Sequence, residues 1–187
     1  WPGADLDFFN FFLFFPECKN EPGETVDDIF ICALDEAIDG PGGILSYSGP
    51  FLIGEDDFIP TAGYMVYDTS DTSSLIDNGL FEDLVLHDLA QVMGMGSMWQ
   101  DLGLVTNIGT ERNPNYVYTP GTHACDQWQR LSGCDGCPPL DNDSGGYYWD
   151  KAYLQNELMT PYIDPETDKT RPFSRISVGA LDDIGFV

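Results

Sequence analysis

His87-Asp88-Leu89-Ala90-Gln91-Val92-Met93-Gly94 brings an imidazole, a carboxylate and an amide within reach of one another near the middle of the chain. On a helix, residues four apart share a face, so His87 and Gln91 would point the same way. A His-Glu-x-x-His helix uses that spacing to hold zinc between two imidazoles, while its Glu activates the metal-bound water. Here Asp88 stands at the Glu position, a methylene shorter, and Gln91 stands at the second His position. A neutral amide is a poor zinc donor beside imidazole, and a base displaced by a methylene works badly. His87 is therefore expected to be hydrogen-bonded within the protein, with weak residual metal binding as the alternative. The other histidine, in Gly121-Thr122-His123-Ala124-Cys125, is expected on a surface loop. Two histidines in all cannot build a three-His site.

Other constellations carry less. Asp141-Asn142-Asp143-Ser144-Gly145-Gly146 offers oxygen ligands, with Asp141 and Asp143 as calcium candidates. It lacks the downstream bidentate Glu of an EF-hand, so a polar turn is the expected reading. Cys134-x-x-Cys137 has no second pair at zinc-knuckle spacing. The five cysteines are expected to form disulfides in an oxidising compartment, leaving one thiol. Cys18 with Cys32 is the preferred pair, and two of Cys125, Cys134 and Cys137 form the other. The sequence contains no Gly-x-Ser-x-Gly, phosphate-binding loop or dinucleotide fingerprint.

The elements that would position these groups are short. Residues 26–34 read as a buried strand around Ile29-Phe30-Ile31, and residues 44–48 and 63–67 as further strands. Asp39-Gly40-Pro41-Gly42-Gly43 is turn chemistry. Residues 68–77, rich in Asp, Ser and Thr, read as a loop leading into the helix of residues 80–93. On that helix Leu86, Leu89 and Met93 form the face expected to pack inward, and Gly94 and Gly96 stop it. Residues 100–146 read mostly as loop, and residues 153–158 as the start of a short helix. Ser174 caps a last helix closed by Gly185.

Several ordered blocks resemble the leishmanolysin-like metallopeptidases, a branch of the metzincin zinc proteases. They are Ile38-Asp39-Gly40-Pro41-Gly42-Gly43-Ile44-Leu45, Ser48-Gly49-Pro50, Pro60-Thr61-Ala62-Gly63-Tyr64-Met65 and Gly94-Met95-Gly96-Ser97-Met98-Trp99. Asn156-Glu157-Leu158-Met159-Thr160 is similar to the Met-turn of that family, and residues 174–187 to its closing helix and strand. The resemblance spans residues 26–187 and implies a metzincin-like α+β fold. That fold has a small twisted mixed sheet, the zinc helix behind it, and a loop-rich C-terminal part with Met-turn Met159 and a final helix. It also implies that His87 matches the first zinc ligand, Asp88 the general base and Gln91 the second ligand. Gly145-Gly146-Tyr147-Tyr148-Trp149 puts Tyr148 at the third ligand.

Loss at these positions points to a catalytically inactive pseudopeptidase, with no cofactor expected. It would serve as a structural or binding accessory subunit of an extracytoplasmic or lumenal assembly. Two alternatives stand beside it: an atypical zinc endopeptidase using His87, Asp88, Tyr148 and His123, and a secreted calcium-dependent adhesion module. Composition bounds the partner. Seven basic residues against 32 acidic ones give a formal charge of −25 over 187 residues, which excludes nucleic acid and favours a basic protein partner. With 42% hydrophobic residues the chain can build one core, and no run of 18 apolar residues is present to span a membrane. Residues 5–15 hold six Phe and two Leu. As part of an N-terminal segment of residues 1–25, they are expected either to be buried or to dock on a partner, such as a membrane-associated complex, through Phe8, Phe9, Phe11, Phe12, Phe14 and Phe15. The start at Trp1, without an initiating Met, suggests processing or a longer parent chain.

Overall fold

A computed structural model describes Cys18 and residues 28–54, 58–163 and 171–186 of the chain. The six Phe of the N-terminal segment lie outside the described residues.

The fold is mixed α+β. Strand β1 (Phe30–Glu36) runs parallel to β3 (Pro60–Asp68), and β2 (Ser46–Ile53) pairs antiparallel on the other side, giving the order β1-β3-β2. Alternation sorts the side chains. Ile29, Ile31, Met65 and Tyr67 face the helices, while Phe30, Cys32, Leu34 and Tyr64 cluster with Cys18 on the opposite face. β3, at the centre, is the most enclosed strand, and it extends beyond residues 63–67 in both directions, to Pro60 and to Asp68.

Helix α1 (Thr69–Asp77) follows β3 directly. The polar stretch that reads as a loop is thus a helix. Asp68 caps it by accepting from the Ser70 amide at 2.7 Å, so the Asp and Thr that suggested a loop are capping chemistry. α2 (Phe81–Val92) packs on β2 and β3 and carries His87. Its inward face differs from the expected one. Leu84, His87, Asp88, Ala90, Gln91 and Val92 are buried, whereas Leu86 is 47% exposed. The helix lies between the sheet and the C-terminal half, so its polar stripe is interior. Close approach depends on Gly63: a Cβ there would lie 2.8 Å from the Gly49 carbonyl and collide with the Val92 side chain.

Residues 100–146 are more structured than their Gly, Asn and Pro content suggests. They hold the hairpin β4 (Val105–Asn107) and β5 (Tyr116–Tyr118), then α3 (His123–Ser132), capped by Thr122 and stopped by Gly133 in the left-handed region. Ala124, Cys125, Trp128 and Leu131 recur at helical spacing in α3, a signal masked by the turn-forming residues around it. Only Ala124 and Cys125 are fully buried, and the Cys125–Cys137 disulfide closes the segment behind it. A second disulfide joins Cys18 to Cys32 of β1, and Cys134 is free and exposed. The short helix α4 spans Lys151–Leu154, earlier than read, because Asp150 caps it. α5 (Arg175–Ile184) starts at the Ser174 cap and ends at Gly185. Trp99, Tyr118 and Trp149 pack edge-to-face or tilted, 4.5–5.3 Å between centroids, and centre the second core.

No described helix is long and apolar enough to cross a membrane.

Candidate functional site

A cavity of about 550 Å³ opens between α2, the 42–46 segment, α1 and residues 160–163, and His87, Asp88, Gln91 and Tyr148 all line it. His87 Nδ1 lies 2.8 Å from the Leu158 carbonyl, which can only accept, so Nδ1 carries the hydrogen and Nε2 of the neutral ring keeps its lone pair. The ring stacks on Tyr148 with centroids 5.6 Å apart. Burial pushes the His87 pKa down against the opposing pull of the Leu158 hydrogen bond, so the ring is neutral near physiological pH.

Gln91 is committed at both ends. Its Oε1 accepts from Ser48 Oγ at 2.7 Å, and its Nε2 donates to Tyr148 Oη at 3.0 Å. Ser48 Oγ also lies 3.0 Å from Asp88 Oδ1. The serine has one hydrogen. When it serves Gln91, the second contact is satisfied if Asp88 is protonated and donates to Ser48. That fits the Asp88 pKa, which burial pushes up to about 6 against the Ser46 and Ser48 hydroxyls. The four groups form one hydrogen-bonded chain across the cavity floor.

Residues that do no chemistry in the sequence reading hold this arrangement. Buried Glu157 accepts from the Met159 amide at 2.6 Å, from the Ser174 amide at 3.0 Å and from the Ser177 hydroxyl. Ser177 in turn accepts from Trp149 Nε1 at 2.8 Å. Glu157 thereby ties the Leu158 carbonyl, and with it His87, to the start of α5. Met159 is 1% exposed in the second core, and its carbonyl accepts from the Trp149 amide. Asp68 and Asp71 cage the 39–44 turn that rims the cavity. Asp68 Oδ2 accepts from the amides of Asp39 and Gly40, and Asp71 Oδ1 from that of Gly42. The amides of Ser70 and Asp39 lead in holding Asp68 down at about 2. The sequence signal for this cage was Asp68-x-x-Asp71 at a helix start, an acidic relative of the capping box.

His123 lies elsewhere. It is the first residue of α3 rather than a loop histidine, and its ring pairs with Asp182 of α5. It does not line the cavity, so it cannot join His87 there. The Asp141–Gly146 segment is closed on itself: Asp141 Oδ2 accepts from the Ser144 amide at 2.7 Å, and Asn142 Oδ1 from the Tyr116 amide at 2.9 Å. Asp143 is exposed. Among the described residues, no three His, Cys, Asp or Glu side chains group as a metal site.

No protein-family model matches the chain, and no curated protein matches it.

Proposed function

We propose that this chain is a leishmanolysin-like domain of the metzincin type that has given up hydrolysis and works as a structural or binding subunit outside the cytosol. The observation that carries the reading is the state of Gln91. At the position matching the second zinc ligand, both polar ends of its amide are engaged by Ser48 and by Tyr148, itself at the position matching the third. A metal at His87 Nε2 would meet an amide and a phenol already bonded to each other, which is a poor donor set for zinc. The order of the elements also supports the family reading: a mixed sheet, a His-bearing helix behind it, a buried Met after a tight turn, and a capped last helix. Two disulfides support an oxidising compartment, and the acidity of the chain supports a basic protein partner.

Zinc titrated calorimetrically into metal-stripped protein is expected to give no stoichiometric uptake. Gln91→His combined with Asp88→Glu is expected to bind zinc weakly and to leave casein uncut, because Tyr148 still stands at the third position. Stoichiometric zinc in the unaltered chain, or casein cleavage by the double variant, overturns the reading.

A further inference from the structure

Acceptors and donors are unequally matched in the cavity beside α2. Asp71, Asp88 and His87 line it, and no lysine or arginine among the described residues does. Asp71 and Asp88 are 7% and 1% exposed. Each has one oxygen engaged, Asp71 Oδ1 by the Gly42 amide at 2.8 Å and Asp88 Oδ1 by Ser48 at 3.0 Å. The second oxygen of each, Oδ2, has no hydrogen-bond partner among the described residues. Buried carboxyl oxygens are rarely left so, because a polar group removed from water needs a compensating donor whether or not it is charged. His87 adds a third acceptor through the lone pair on Nε2. Two of the neighbouring donors are already used, Gln91 Nε2 by Tyr148 and the Thr160 hydroxyl by the Glu157 carbonyl, and the Ser46 hydroxyl lies against Asp88.

We propose that this cavity receives the guanidinium group of an arginine side chain presented by a protein partner, an assignment that rests on the binding-domain reading above. The three acceptors do not group as a metal site, so a single ion cannot serve them together. A guanidinium instead offers five donors spread over a rigid plane. Its aliphatic stem matches the apolar part of the wall, where Leu75, Leu80, Leu84 and Ile163 sit. The stacked His87–Tyr148 pair supplies an aromatic face of the kind a guanidinium packs against. The formal charge of −25 steers a basic partner toward the molecule, and the cavity is where one cation can be desolvated.

The test is an NMR titration of the isotope-labelled chain with Nα-acetyl-arginine amide, with Nα-acetyl-citrulline amide as the neutral analogue of the same length and Nα-acetyl-lysine amide as the point-charge control. Saturable shifts are expected around Asp71 and His87, with citrulline and lysine weaker by about tenfold or more. Asp71→Asn and Asp88→Asn are each expected to weaken the arginine probe by about the same factor while keeping the dispersed spectrum of a folded chain. Equal binding of citrulline, equal binding of lysine, indifference of the arginine probe to both folded variants, or no saturable shift overturns the proposal. If zinc is absent from His87 and the arginine probe fails, the arginine site alone is removed. Stoichiometric zinc at His87 removes the pseudopeptidase reading, whatever the probes do.

Discussion

Asp88 is a carboxylate placed where its charge is unfavourable, and its titration shows in the stability of the whole chain. Its folded pKa of about 6 lies above that of an exposed carboxylate, so between about pH 4 and pH 6 the folded chain holds the proton more tightly than the unfolded chain. Stability contributed by this group is present at the acid end of that window and is lost as pH rises through it, by up to about 3 kcal/mol. Asp88→Asn keeps a donor for Ser48 and removes the charge. It is expected to stabilise the chain by about 1–3 kcal/mol near pH 7 and by little near pH 4.5, read by urea denaturation at both values. Equal effects at the two values would show that Asp88 does not titrate as described. His87 acts in the opposite sense. Its pKa is lowered by burial, so its contribution is present above the usual imidazole range and is lost as pH falls through it. Asp68 joins it at lower pH: held at about 2, it stabilises the fold above the usual carboxylate range and loses that contribution as pH falls toward 2.

At the scale of elements, two helix contacts depend on glycine as a surface without a side chain. Gly63 lets α2 lie on β3, and Gly179 lets α5 cross α3. A Cβ on Gly179 would fall 2.8 Å from the Ala124 amide nitrogen and 2.9 Å from the His123 carbonyl carbon, both backbone atoms that cannot rotate away. Gly179→Ala is therefore expected to cost about 1–3 kcal/mol through overpacking, despite the helix-favouring nature of alanine. Exposed Val178→Ala is the control and should stay within about 0.5 kcal/mol. Thermal melts of the pair decide it, and a neutral Gly179→Ala would mean that α3 and α5 separate without loss. Part of this level could be read from residue types: Ser174 and Gly185 bracket α5 as their chemistry dictates. α3 was legible only in part: Ala124, Cys125, Trp128 and Leu131 recur at helical spacing, but the Gly, Asn and Pro on either side carry the stronger turn signal.

Across the whole molecule, the two disulfides work against a large negative charge. Self-repulsion from −25 destabilises the compact state, and a cross-link stabilises it by restricting the unfolded chain. Alkylation of the native chain without reductant is expected to label Cys134 alone, while reduction under denaturing conditions exposes all five cysteines. Each disulfide contributes on the order of 2–4 kcal/mol, so reduction should lower the melting temperature strongly at low salt and less where added salt screens the charge. Labelling of Cys125 or Cys137 in the unreduced chain would contradict the pairing.

Residue identity by itself determined one limit on the site. One histidine at the helix, a short carboxylate and an amide cannot assemble a three-His zinc centre in any fold, because donor type is a property of the side chain. Local chemistry also determined the last helix, the turn at Asp39-Gly40-Pro41-Gly42-Gly43 and the stop after α2, where caps and glycines act within a few residues. What Gln91 does, which face of α2 is buried, and that Asp71 and Asp88 each keep an unmatched oxygen at one cavity were decided only by tertiary structure. Their partners lie far along the chain, with Ser48 and Tyr148 43 and 57 residues from Gln91. Packing the sheet and the C-terminal half on either side of α2 turned its polar stripe inward, and no periodicity along a single segment encodes a face with protein on both sides.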